Sequence, residues 1–263
     1  MDNVQNKTVI VTGAGSGIGY QITEELLRKG AKKIAIIDLP VARSYDATVT
    51  LQEKFGKDRV ILFPIDVTNL EVYSETFKQI VKALNGLDIL INNAGIIHDR
   101  CIEQTFAVNV IALIRGSLLG LDYMGKHKGG KGGTIVNMAS IAGIRTTGVY
   151  PVYSSSKFAI VGFGRNLEKL YDKTGVRILT MCPSLTSTPM QVATDLSEER
   201  TLDIIDEEVL KNLMINVKQE PQSVVHVGQS VVMAIQKGEN GSIWVIANNE
   251  PAYPVKLPPF VTA

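Results

Sequence analysis

Short runs of β-branched and other apolar residues alternate along this chain with longer stretches whose apolar positions recur every three or four residues. The runs are Lys7 to Thr12, Lys33 to Asp38, Arg59 to Asp66, Leu87 to Asn92, Thr134 to Ser140, Val176 to Cys182 and Ser242 to Ile246. Several, among them TVIVTG, KIAIID and TIVNMAS, lack the apolar–polar alternation of a half-exposed strand, as strands covered on both faces do. With helix-period segments between most of them, the pattern predicts an α/β protein built on a seven-stranded, doubly wound parallel sheet flanked by helices.

No repeat, low-complexity tract or flexible linker divides the chain, so residues 1–263 read as one domain. The glycine-rich GKHKGGKGG from Gly125 to Gly133 is short enough for a helix-to-strand loop. The proline-rich end, about 248–263, cannot continue a helix and is expected to form an extended arm on the body or on a neighbouring subunit.

Composition narrows the partners. With 45% hydrophobic residues, 20% charged and a net charge of +1, neither disorder nor electrostatic attraction to nucleic acid or anionic membrane is indicated, and a small molecule is the expected partner. No signal-peptide pattern precedes the first strand and no apolar run approaches the roughly 20 residues of a membrane span, so a soluble chain is expected. Cys101 and Cys182 lack CxxC spacing and read as buried reduced thiols, consistent with a cytoplasmic location.

Directly after the first strand comes TGAGSGIG, Thr12 to Gly19, followed by a helix-period segment with Ile22, Leu26 and Leu27 on one face. Strand, glycine turn and helix together make a phosphate cradle. Missing side chains admit a pyrophosphate to the backbone, and the helix start offers unpaired N–H groups. Gly13, Ser16, Gly17, Ile18 and Gly19 are its candidate residues. Asp38 ends the second strand where an acidic side chain can meet the adenosine ribose. A carboxylate there accepts from both ribose hydroxyls and repels a 2′-phosphate, which favours NAD. Leu39 and Pro40 supply no cation, and Arg43 is the one nearby positive charge.

Tyr153 and Lys157 stand one helical turn apart, on the same face of a predicted helix. Ser140 ends an apolar strand, and strand C-termini are where open α/β sheets bind ligands.

TGAGSGIG, the Asp66-Val67 pair, NNAG from Asn92 to Gly95, Asn109, Ser140 and YSSSK occur in the order and approximate spacing of the short-chain dehydrogenases/reductases, which this chain resembles over nearly its whole length. The stretch PVYSSSKFAIVGF and the ending NGSIWVI are similar to the branch containing insect alcohol dehydrogenase and 15-hydroxyprostaglandin dehydrogenase. The resemblance implies a Rossmann fold and an NAD-dependent alcohol dehydrogenase, in which a phenol of pKa about 10 is a poor base for the alcohol's proton and the Lys157 ammonium, joined by the positive nicotinamide of the oxidised cofactor, is expected to lower that pKa and make Tyr153 the acid/base. It implies that Lys157 also bonds the nicotinamide ribose, that Ser140 holds the substrate oxygen, and that Asn109 positions a water in a relay from the lysine. It places Asp66 and Val67 near the adenine, and Asn93, Ala94 and Gly95 beside the adenosine ribose. Pro183 and Thr188 would face the nicotinamide carboxamide. One departure is CPSLTST, where Ser184 stands in place of the family's usual glycine and is expected to strain a crowded or left-handed backbone.

The segment 184–220 carries many aliphatic residues, including Leu185, Met190, Val192, Leu196, Leu202, Ile204, Ile205, Val209, Leu210, Leu213 and Met214, and is expected to cover the nicotinamide. With no cationic cluster there, a largely apolar alcohol is the expected substrate. His98 and His127 read as loop or surface residues, and no metal-ligand spacing occurs. Small residues at Gly116, Ser117, Gly120, Ala159, Gly162 and Gly164 interrupt two apolar helices that pair subunits in relatives, so a homodimer or homotetramer is expected. The alternatives are a non-enzymatic cofactor- or lipid-binding storage protein on the same fold and an NADPH-linked carbonyl reductase.

Overall fold

The computed structural model describes residues 4–146, 148–192, 201–205, 208–209 and 220–257. Strands β1 (Thr8–Thr12), β2 (Lys33–Asp38), β3 (Val60–Pro64), β4 (Ile89–Asn92), β5 (Gly133–Met138), β6 (Val176–Pro183), β7 (Ile243–Ile246) and β8 (Tyr253–Val255) form one sheet in the order β3-β2-β1-β4-β5-β6-β7-β8. Every pairing is parallel except β7 with β8. The seven expected strands all form, and the sheet has an eighth. Val255 and Tyr253 of the proline-rich end pair antiparallel with Ile243 and Val245. Pro254 is tolerated because this is an edge strand, where one row of backbone donors has no partner to serve.

Helices α1 (Gly17–Arg28), α2 (Ala42–Phe55) and α3 (Leu70–Leu84) connect the first half of the sheet. The sequence sets their limits: Asn69 caps α3 by accepting from the Val72 amide at 3.2 Å, and Asn85 ends it in the left-handed region at φ 56°. The sheet is covered on both faces. Val9, Val11, Ile34 and Ile36 pack with Ile22 and Leu26 of α1, while Ile10, Ala35 and Ile37 face Phe77 and Ile80 of α3. This two-sided burial is why these strands show no alternation.

Beyond β4, α4 (Ile102–Phe106) runs through a π-helical stretch, Ala107–Ala112, into α5 (Leu113–Met124). The whole span, Ile102–Met124, is long and apolar enough by length and composition for a bilayer, contrary to the expectation that no run approaches that length. Its buried side accounts for part of that character: Gly120 packs on Leu90 and Ile135 of the sheet, and Leu121 and Met124 are in the core. Helix α6 (Pro151–Leu167) lies beside it, and α7 (Tyr171–Thr174) leads into β6. Next come α8 (Pro189–Val192) and α9 (Val224–Lys237), whose Gly228 touches the Gln21 backbone of α1.

Candidate active site

Strand order reverses between β1 and β4, the switch point where ligands bind in sheets of this kind. At the C-terminal ends of the strands there is a cavity of about 1490 Å³. The predicted residues Gly13, Ser16, Gly17, Ile18, Asp38, Asp66, Val67, Asn93, Ala94 and Gly95 line one part of it. Ser140, Tyr153, Lys157, Pro183 and Thr188 line the other. Gly19 and Asn109 do not.

The glycine turn is built for a ligand. Gly13 and Gly17 have φ of +67° and +56°, where a side chain would be strained. Ser16 opens α1 without spending its hydroxyl on a capping bond, so it and the first helical amides can serve an anion. Gly19 acts from behind: a Cβ there would lie 2.3 Å from the Gly13 carbonyl oxygen. Asp38 fixes the turn by accepting from the Gly15 amide at 2.6 Å, leaving Oδ1, bonded to the Leu39 amide, on the exposed side. These features fit the pyrophosphate and adenosine ribose of a dinucleotide. Arg43 lines the same end.

The second floor of the cradle is NNAG. Asn93 donates from Nδ2 to the carbonyls of Thr12 and Gly13 at 3.0 and 2.9 Å. The hydroxyl of Thr12 accepts from the amides of Asn93 and Ala94, both at 3.0 Å. Thr12 was not singled out in the sequence because a threonine inside an apolar run reads as strand. Asn92 is buried behind the site, bonded to Ser117 and Asn137. Asp66 turns the chain after β3 by accepting from the amide and hydroxyl of Thr68.

At the other end, Ser140 lies just past β5 and accepts from the Ala142 amide at 3.1 Å, opening a short 3₁₀ turn, Ile141–Gly143. Gly143 seats that turn against α6, where a Cβ would come within 2.6 Å of the Lys157 carbonyl oxygen. Helix α6 carries Tyr153 and, one turn on, Lys157. The Lys157 ammonium donates to the Met138 carbonyl at 3.0 Å and lies 5.5 Å from the centre of the Tyr153 ring. Lys157 is 4% exposed, and burial lowers its pKa to about 8. Burial pushes the Tyr153 phenol up to about 12, with a Ser140 hydrogen bond pulling the other way. Loss of solvation outweighs the Ser140 bond in the protein without a positive nicotinamide, the partner with which the lowering is expected. The Tyr153 ring is part-exposed to the cavity.

Asn109 occupies the π-helical stretch and is fully buried. Its Oδ1 accepts from the Ile96 amide at 2.8 Å, and its Nδ2 donates to the Ile96 carbonyl at 2.9 Å and the Ser156 hydroxyl at 3.0 Å. Its amide holds the loop after NNAG against α6. Ser184 is not strained: among the described residues the non-glycines at positive φ are Asn6, Asn85, Asn248 and Asn249. Its amide donates to the Ile246 carbonyl, and buried Gln222 ties the same loop to β7.

Ile97, Ile141, Val149, Leu185 and Met190 give the Tyr153 end apolar walls, with Gln104 and an exposed Arg145 also lining the cavity. Of the covering segment, Leu196, Leu210, Leu213 and Met214 lie outside the described residues. Cys182 is a free, buried thiol with its pKa pushed up to about 12, whereas Cys101 is only part-buried, 3.6 Å from His98. His127 is exposed.

This chain belongs to the short-chain dehydrogenase family, whose model, described as short chain dehydrogenase, matches residues 7–199. It is 39% identical to 15-hydroxyprostaglandin dehydrogenase (NAD(+)) of Rattus norvegicus over 190 residues, 72% of this chain and 71% of that protein. It is 32% identical to alcohol dehydrogenase 1 of Ceratitis capitata over 245 residues, 92% of each. Among solved structures, levodione reductase superposes with a TM-score of 0.77 at 22% identity, over 92% of this chain and 96% of that one.

Proposed function

We propose that the protein is an NAD-dependent alcohol dehydrogenase, reversible as a carbonyl reductase, acting on a largely apolar secondary or lipid-like alcohol. One observation carries the reading: Tyr153, Ser140 and Lys157 line the same cavity as the glycine turn and Asp38, at the C-terminal ends of the strands. When bound, the nicotinamide cofactor supplies the hydride acceptor. Within this chain, Ser140 holds the substrate oxygen, and Tyr153 takes the hydroxyl proton at its phenolic oxygen as charge develops. Lys157 places a positive charge beside that oxygen as it ionises and can bond the nicotinamide ribose. Loss of solvation holds the phenol up, so positive charge gathered in the loaded cavity assists proton removal.

Asp38 on the adenosine ribose favours NAD, and the NAD-linked relative supports this. Arg43 at the same end favours the competing NADP reading, which a comparison of the two cofactors decides. The apolar walls around Tyr153 support an apolar substrate. NADH formation should be screened across secondary and long-chain alcohols with Tyr153→Phe as control. Loss of about a thousandfold or more in turnover is expected; activity surviving the substitution refutes the mechanism.

We also propose that the chain pairs with copies of itself through α5 and α6. Of the small residues expected there, Ala159 and Gly162 are exposed, whereas Ser117 is buried and Gly116, Gly120 and Gly164 pack inward on Tyr73, Leu90 and Thr180. The outward apolar residues are Ile111, Leu118 and Phe158, each close to half exposed. Sedimentation showing only monomer at micromolar concentration would rule this out.

A further inference from the structure

Helix α6 begins in an unusual way. Its cap position is Tyr150, whose side chain makes no capping bond, and Pro151 follows with no N–H to satisfy. The Ser154 amide reaches the Tyr150 carbonyl at 2.8 Å. That leaves two orphan donors, the amides of Val152 and Tyr153. Both are met from a distant part of the chain. Asp99 Oδ2 accepts from Val152 at 2.8 Å and Oδ1 accepts from Tyr153 at 2.9 Å.

Asp99 is fully buried, and among the described residues no lysine or arginine forms an ion pair with it. Its neighbour Arg100 donates instead to the Thr201 carbonyl and pairs with Asp203. The positive end of α6 is thus the main counter-charge for a buried carboxylate. Burial pushes its pKa up while the two amides, and His98 more weakly, pull it back.

The other attachments of this loop give the contact its meaning. Asn93 is fastened to the glycine turn, Ile96 is gripped at both amide and carbonyl by Asn109, and Asp99 grips the backbone of Tyr153 itself. From these anchors we infer that Asp99 is a positioning residue for the reaction, setting where the Tyr153 hydroxyl stands relative to the cofactor floor. The inference rests on Tyr153 being the acid/base. A shift of the first turn of α6 would move that hydroxyl while leaving the glycine turn and Asp38 in place.

The test compares Asp99→Ala, which removes both acceptors, with Asp99→Asn, which keeps one. Turnover is normalised to the number of NADH-binding sites found by fluorescence titration, so loss of folded protein does not count. Expected are falls in kcat of about a hundredfold for Ala and about tenfold for Asn, the scale at which misplacing a reacting group by an ångström acts. NADH affinity should stay within about twofold, and amide exchange at Val152 and Tyr153 should quicken by about tenfold or more. A kcat per site unchanged in both variants overturns the proposal, as does a loss confined to cofactor affinity or to the number of sites. If Ala fails to fold, Asn carries the same comparison. Wild-type protein that binds NADH yet oxidises no alcohol would defeat the enzymatic reading; amide exchange then judges the Asp99 contact separately, and unchanged exchange in Asp99→Asn overturns it.

Discussion

Replacing Lys157 by methionine should make the cofactor-free protein more stable while destroying its function. The side chain is 4% exposed, and among the described residues its ammonium meets the Met138 carbonyl and the Tyr153 ring but no carboxylate. Burial holds its pKa at about 8, against 10.5 for the free group. A displacement of that size sets about 3 kcal/mol against the charged form at neutral pH. Methionine keeps the apolar stem and removes the charge, at the loss of the carbonyl bond and the ring contact, together about 1–2 kcal/mol. The variant should therefore be more stable by about 1–2 kcal/mol in urea unfolding near pH 7. The advantage has a pH signature. From about 8 up to 10.5 the unfolded chain holds the lysine proton and the folded chain does not, so wild-type stability gains with rising pH and the gap narrows. Cys182 above its ordinary value of 9, and Tyr153 above 10, add opposite slopes present in both proteins. A variant less stable than wild type near neutrality, or a gap that widens toward about pH 10, would refute the claim that burial dominates at this position.

Gly19→Ala would place a methyl 2.3 Å from the Gly13 carbonyl oxygen and 2.5 Å from Asn93 Nδ2. It should cost about 1–3 kcal/mol in thermal unfolding and weaken NADH binding by more than the stability loss explains. Thr12→Val keeps the shape of the side chain but orphans the amides of Asn93 and Ala94, and should lower stability by about 1–3 kcal/mol. A melting curve that does not move would show that the strand end, not the hydroxyl, positions NNAG. Asp38→Asn removes the charge that the proposed function sets against the adenosine ribose, so the ratio of NAD to NADP affinity should fall by about tenfold or more. An unchanged ratio in paired titrations would defeat the assignment of Asp38.

The fold and the cradle were legible in the sequence for a local reason. A strand buried on both faces must be apolar throughout, and a backbone that approaches phosphate must lack side chains; both constraints act over a few consecutive residues. The spacing of Tyr153 and Lys157 is equally local. Their protonation is not. Whether a lysine four residues away lowers the phenol's pKa depends on what else surrounds the pair, and here the Met138 carbonyl, the buried Cys182 and the 3₁₀ turn after Ser140 come from β5, β6 and the loop between β5 and α6. Asp99 was invisible for the same reason: in the sequence it is one carboxylate after NNAGIIH, and only the fold brings it to the start of a helix 53 residues on. The proline-rich end shows the converse. Its composition excluded a helix, but joining the sheet as β8 depended on the open edge of β7, which no residue within that end encodes. The candidate catalytic residues are thus declared by short motifs, while their surroundings are set by groups distant in sequence. A chain could keep TGAGSGIG, NNAG and YSSSK intact and still misplace the tyrosine, because the carboxylate that holds its backbone lies outside all three.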